Sequence, residues 1–119
     1  MIRILLVDDN TEYRQAFCRL LERQADFEVV GLAGSLAEAR QLLHGVDLAL
    51  IDRGLADGDG LELISELREA SPGAAVLVMS MTLEQAHPED AVEAGADGVL
   101  DKIETPEQIF AKIREVGSR

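Results

Sequence analysis

The stretch Asp47 to Leu63, DLALIDRGLADGDGLEL, decides how the whole chain is read. Leu48-Ala49-Leu50-Ile51 is an apolar run without polar alternation, the pattern of a strand buried on both faces. A buried helix gives the same pattern, but the short run and the glycines behind it favour the strand. The run stops on a carboxylate, Asp52, and a loop rich in Gly and Asp follows. Asp59 then offers an N-cap and Glu62 closes a capping box, so a helix is expected from about Gly60 to Ala70. Leu63, Ile64, Leu67 and Ala70 fall on its inward face and Arg68 on its outer one. An acid at the carboxyl end of a buried strand stands where open α/β sheets bind ligands. Taken alone, Asp52 fits equally a residue that ends a strand and solvates a turn.

The same unit recurs on both sides of this stretch. Upstream, Ile2 to Val7 reads as a buried strand ending on Asp8-Asp9. Thr11 to Gln24 follows as a helix with Ala16, Phe17, Leu20 and Leu21 on one face, and Cys18 beside them as a half-buried thiol. Phe27 to Ala33 is β-branched enough for a second strand. Ser35 and Glu38 box a helix expected to run to Leu43, with His44-Gly45 as its end. Downstream, Ser71-Pro72-Gly73 breaks the chain before a fourth strand, Ala75 to Met79, which leads into Ser80. Leu83 to Ala94 is a weaker helical pattern interrupted by Pro88, with His87 as a later start. Gly98 to Leu100 is a short fifth strand, and Lys102 stands two residues past it. Thr105-Pro106-Glu107-Gln108 combines an N-cap, a first-turn proline and a capping box, opening a last helix to about Val116. Five strand–helix units of about 24 residues predict an α/β fold with a parallel sheet and helices on both faces. Residues 1–119 read as one domain without a linker.

Composition narrows the function. With 47% hydrophobic residues and only 3% aromatics, the core must be aliphatic. Eleven basic against 23 acidic residues leave a formal charge of −12, which argues against the chain itself gripping nucleic acid or an anionic membrane. The single Cys18 excludes an internal disulfide framework, and no apolar stretch approaches a membrane span, so a cytoplasmic location is expected.

The chemistry lies at the strand ends. In a parallel sheet all carboxyl ends share one edge, which here would gather Asp8-Asp9, Asp52, Ser80 and Lys102. Three convergent carboxylates call for a hard cation, and Mg²⁺ suits them, with Mn²⁺ as the alternative. A cation facing an ammonium makes a site for a phosphoryl group, and a carboxylate there can be the nucleophile.

With Asp8-Asp9, Asp52, Asp59-Gly60, Ser80 and Gly95-Ala96-Asp97-Gly98 leading to Lys102, the chain resembles, over essentially its full length, the receiver domains of two-component response regulators. The resemblance implies a flavodoxin-like, doubly wound (βα)5 fold with a five-stranded parallel sheet in the order 2-1-3-4-5. It implies that Asp52 is the phosphoacceptor for a histidine kinase or a phosphotransfer protein. Asp9, Asp52 and the backbone carbonyl of Gly54 would hold the metal, with Asp8 acting through water, while Ser80 and Lys102 contact phosphoryl oxygens. The product would be a changed surface on the fourth helix, fifth strand and fifth helix rather than a released compound, so the domain is not read as an enzyme. Lys102-x-x-x-Pro106-Glu107 resembles receivers joined to LuxR-type helix-turn-helix regulators, which implies a DNA-binding domain after Arg119 and control of transcription; a stand-alone receiver is the alternative, and a homodimer on phosphorylation is left open by the sequence.

Three positions depart from the family pattern. Ala56 and Ile103 stand where prolines are common, and Val99 where an aromatic ring usually swings inward on activation. They keep open a second reading, a pseudo-receiver that binds or dimerises without phosphorylation. Met81 is larger than the residue many receivers place beside the site hydroxyl, so slower loss of phosphate is expected. Other motifs fail on their own terms. Asp57-Gly-Asp-Gly60 has Leu61 where a calcium loop needs an oxygen, and Gly58-x-Gly60 has Leu63 where a dinucleotide loop needs its third glycine. A phosphatase of the haloacid-dehalogenase kind would need an acid at Gly54, and His44 and His87 lack supporting ligands.

Overall fold

In the computed structural model, which describes residues 1–81 and 87–117, the five apolar runs form one parallel sheet. Its strands are β1 (Ile2–Val7), β2 (Phe27–Ala33), β3 (Leu48–Asp52), β4 (Ala75–Ser80) and β5 (Gly98–Asp101). They lie in the order β2-β1-β3-β4-β5, the flavodoxin-like order. The helices are α1 (Thr11–Glu22), α2 (Leu36–Ala39), α3 (Leu63–Ala70), α4 (Pro88–Glu93) and α5 (Pro106–Gly117).

The unbroken apolar runs have a simple cause. Side chains alternate across each strand, and here both faces are covered. Ile4, Leu6, Leu48, Leu50, Leu77 and Met79 pack on one side with Phe17, Leu21 and Ile113. Leu5, Val7, Ala49, Ile51, Val76 and Val78 pack on the other with Leu36, Leu63, Ile64 and Leu67. Each such aliphatic side chain contributes about 1.5–3 kcal/mol when fully buried.

Register levels the site. Val7 pairs with Ile51, Asp52 with Met79 and Ser80 with Asp101. The first residues beyond β1 and the last of β3 and β4 therefore reach the same edge.

Several local expectations change. In α1 the buried face is Phe17, Cys18 and Leu21, whereas Ala16 is exposed, because the helix rotates Cys18 into the core. Helix α2 is a single turn instead of reaching Leu43. The amides of Gln41 and Leu42 bond back three residues, and the Leu43 carbonyl accepts from Ser71 Oγ at 2.7 Å instead of a helical amide. The capping box of Asp59 and Glu62 is present, but it opens a 3₁₀ turn, Gly60–Glu62, before α3. Arg68 does not point away: Nη2 meets Asp97 Oδ2 at 2.8 Å and Nη1 donates to the Gly95 carbonyl. Asp97 also accepts from the Val76 amide at 2.8 Å, so the turn before β5 is tied to both α3 and β4. The fourth helix is seen from Pro88, and the 83–86 part of its expected span lies outside the described residues. At α5 the capping box forms as read, with Thr105 and Gln108 exchanging bonds of 3.0 and 3.2 Å.

Gly60 shows how tightly the loop after β3 is packed. A Cβ there would overlap the Asp52 carbonyl oxygen and press on Ile51 Cγ2. Gly60→Ala should therefore destabilise the fold by about 1–3 kcal/mol in urea unfolding. An unchanged midpoint would show that the loop can step aside.

Candidate functional site

The carboxyl edge holds a cleft of about 630 Å³ lined by Asp9, Asp52, Arg53, Gly54, Ser80, Met81 and Lys102, among others. Asp52 ends β3 and is buried, as are Asp8 and Ser80 beside it, while Asp9 is exposed. The Gly54 amide donates to Asp52 Oδ1 at 3.1 Å, so the turn folds back on the carboxylate and leaves Oδ2 facing Lys102. Lys102 Nζ lies 3.0 Å from Asp52 Oδ2 and 2.5 Å from Asp8 Oδ2. The backbone sets this up: the Lys102 amide donates to the Ser80 carbonyl at 2.8 Å, continuing the β4–β5 ladder past the end of the sheet. All five side chains that the sequence singled out at the strand ends are thus brought to one edge.

The electrostatics are unbalanced. Burial pushes the Asp52 carboxyl above its ordinary range, against the pull of Lys102. Burial opposes the charge of Lys102 too, but the carboxylates of Asp8 and Asp52 outweigh it and hold the ammonium above its usual range. Asp8 Oδ1 accepts the Asn10 amide at 2.8 Å. Asp8 Oδ2 is fully buried, and its partner is the Lys102 ammonium at 2.5 Å.

These donors fit a divalent cation. One carboxylate oxygen from each of Asp8, Asp9 and Asp52 lies within 4.8 Å of the others, the group of this kind found among the described residues. Hard oxygen donors and an excess of negative charge, three carboxylates around one lysine ammonium in the cleft, are the features that a hard cation satisfies.

Three residues carry roles that the sequence did not signal. Arg53 Nε and Nη2 meet Asp59 Oδ2 at 3.2 and 3.1 Å, and Nη1 donates to the His87 carbonyl at 3.3 Å. Arg53 thereby joins the loop after β3 to the start of α4. Asp57, weighed above as part of a calcium loop, instead accepts from the Leu36 and Ala37 amides at 2.9 and 3.2 Å and caps α2. Tyr13 places its ring 4.7 Å from Lys102 Nζ. All three act across elements, where periodicity is blind.

Of the departures, Ala56 is exposed and Ile103 follows Lys102 through a trans peptide. Val99 is partly buried against the α2–α3 side of the sheet.

A flavodoxin-like sheet whose carboxyl edge gathers three aspartates, a buried serine and a buried lysine defines a receiver-type α/β domain. The chain belongs to the response regulator receiver domain family, whose model matches residues 4–114. It is 36% identical over 120 residues to the transcriptional regulatory protein UhpA of Salmonella typhimurium, covering 99% of this chain and 60% of that one. The chain thus spans somewhat over half the length of that relative. A LuxR-family two-component response regulator from Aurantimonas superposes with a TM-score of 0.87 at 30% identity, covering 98% of this chain and 84% of that one. A response regulator from Burkholderia pseudomallei, whose crystal structure has a phosphorylated aspartic acid, a calcium ion and citrate, superposes with a TM-score of 0.84 at 29% identity. That match covers 99% of this chain and 69% of the other.

Proposed function

We propose that the chain is the phosphoacceptor receiver of a two-component system, taking a phosphoryl group on Asp52 from a histidine kinase or phosphotransfer protein. The observation that carries this is Asp52 held 3.0 Å from Lys102 within the three-carboxylate cluster of the cleft. An Asp52 oxygen attacks phosphorus, a P–O bond forms, and the P–N bond of the donor phosphohistidine breaks with its electron pair staying on the imidazole. Lys102, 3.0 Å from Asp52, favours the ionised carboxylate that makes the attack, against the opposing effect of burial. The Ser80 hydroxyl donates to one phosphoryl oxygen and Lys102 meets another as a point charge. Asp9, Asp52 and the Gly54 carbonyl would hold Mg²⁺ or Mn²⁺, with Asp8 acting through water. When bound, the ion would supply positive charge that offsets the charge of the phosphoryl group.

The output is a changed surface on α4, β5 and α5, a region that includes the exposed apolar side chains Val92 and Ile103. A DNA-binding domain beyond Arg119 would turn that change into transcriptional control, with homodimerisation on phosphorylation, in the cytoplasm. The UhpA and LuxR-family likenesses support this output, and the net charge of −12 supports leaving DNA contact to another domain.

Intact mass after incubation with Mg²⁺ and acetyl phosphate tests the proposal. One added phosphoryl group is expected, and none with a chelator present. With no adduct, and no amide shifts at Asp52 or Lys102 on adding beryllofluoride, the pseudo-receiver reading that Ala56, Val99 and Ile103 leave open would replace it.

Met81 stands at the mouth of the cleft, 58% exposed. Its side chain narrows the approach of water to a phosphoryl group on Asp52. Met81→Ala should speed loss of the phosphoryl group roughly two- to tenfold, up to about 1.4 kcal/mol of barrier. An unaltered decay, followed by mass, would remove Met81 from that role.

A further inference from the structure

The chemistry proposed for Asp52 needs a lysine aimed at the cleft, and a lysine is a poor pointer. Its four-carbon stem is flexible and its ammonium is a strongly hydrated point charge. The buried carboxylate of Asp8, 2.5 Å away, also competes with any phosphoryl oxygen for that ammonium.

The sequence has one tyrosine, three phenylalanines and no tryptophan, and all four rings stand in one row. Tyr13 stacks on Phe17 at 5.7 Å between centroids, Phe17 on Phe110 at 6.2 Å, and Phe110 meets Phe27 edge to face at 5.8 Å. Each end of the row faces a cation. Lys102 Nζ lies 4.7 Å from the Tyr13 centroid, and the Arg114 guanidinium lies 4.7 Å from that of Phe27. Tyr13 is therefore backed by a rigid stack between α1 and α5 and presents its face to the ammonium of the site.

We propose that Tyr13 is a positioning residue for phosphoryl transfer, holding the Lys102 ammonium at the cleft through its ring face. The proposal rests on the phosphoacceptor reading of Asp52 and deepens it. A ring attracts an ammonium through its quadrupole and takes no lone-pair hydrogen bond from it. It restrains Lys102 while leaving N–H directions free for phosphoryl oxygens. Its attraction also does not depend on the charges of Asp8 and Asp52, so it persists when those carboxylates are neutralised. A lysine restrained in this way loses less freedom at the moment of transfer.

The competing view is that Tyr13 only fills space, in which case any apolar side chain of similar size would serve. Two readouts separate these views, taken on wild type, Tyr13→Phe, a trifluorinated phenylalanine in place of Tyr13, and Tyr13→Leu. The first is acylation of Lys102 by an amine-reactive acetate ester under single-hit conditions, scored against Lys112, the only other lysine in the sequence. The second is the rate of phosphorylation by acetyl phosphate with Mg²⁺, and urea midpoints confirm that each variant folds. Tyr13→Phe is expected to match wild type. The fluorinated ring keeps the shape but loses the negative face, and together with leucine it should raise Lys102 labelling about two- to fivefold and slow phosphorylation by a similar factor. A fluorinated variant that behaves like Tyr13→Phe, or a leucine variant with wild-type labelling, would overturn the proposal. If no form takes up phosphoryl while labelling still follows the ring series, the phosphoacceptor reading fails and the hold of Tyr13 on Lys102 stands.

Discussion

Asp52→Asn will take up no phosphoryl group under conditions that load the wild-type chain, and without divalent cations it will be the more stable protein. The first effect is total because an amide oxygen lacks the nucleophilic charge. Asp9 is exposed, and Asp8 has one oxygen on the Asn10 amide and the other against Lys102, so neither is placed to take over. The second effect has the opposite sign and comes from the same placement. Burial and then the nearby Asp8 work against the charge of Asp52, whereas Lys102 and the Gly54 amide favour it, and the balance raises its pKa. Asparagine removes the charge, keeps the shape, and leaves Lys102 paired with Asp8. Because folding raises the Asp52 pKa, ionising it in the folded state costs stability. That cost is complete above the folded value and absent below the unfolded one. The advantage of Asn over Asp should therefore shrink as pH falls through that window. Urea midpoints of both proteins in chelator, from neutral pH down into the carboxylate range, check this. A gap that widens on acidification would mean that Lys102 stabilises ionised Asp52 more than burial opposes it.

The sequence carried the frame of this site for physical reasons that can be traced to residues. Strands buried on both faces leave long apolar runs, so their ends are sharp, and Asp52, Ser80 and Lys102 stand out as polar residues at those ends. Parallel topology then requires the ends to share an edge, and the observed register levels them. Capping boxes were equally legible, since Asp59 with Glu62 and Thr105 with Gln108 act within three residues. What escaped was everything between elements. Nothing local in Asp57 says that it will cap α2, and nothing in Arg68 says that it will reach Gly95 and Asp97. Helix phase was also soft: with Ala16 and Cys18 similar in size and polarity, the pattern alone placed the wrong one inside. Tyr13 read as one more residue of α1 because its partner, Lys102, lies across the fold.

Lys102→Met should be the most damaging single change at the site in the metal-free domain, and Mg²⁺ should repair much of it. The lysine side chain is 8% exposed and that of Asp8 not at all, so the substitution strands a buried carboxylate without its cation. Removing one partner of a buried pair costs about 3–5 kcal/mol, and roughly 3 is expected here because Asp52 opens onto the cleft and can be partly resolvated. Methionine matches the stem of lysine, so packing against Tyr13 changes little and the loss reports on charge. The same variant should bind Mg²⁺ more tightly than wild type, since no ammonium competes for Asp8. Its urea midpoint should therefore rise more steeply with Mg²⁺ concentration, following the linkage between ligand binding and folding. Phosphorylation should nonetheless stay slow in saturating Mg²⁺, because the ion restores charge at the carboxylates but cannot supply the donor that Lys102 offers to a phosphoryl oxygen. If Mg²⁺ restored stability and phosphorylation together, Lys102 would be no more than a counter-ion for the carboxylates. The opposite signs expected for Asp52→Asn and Lys102→Met in chelator follow from one fact: two buried carboxylates, Asp8 and Asp52, share a single lysine, so removing an acid relieves the site and removing the lysine overloads it.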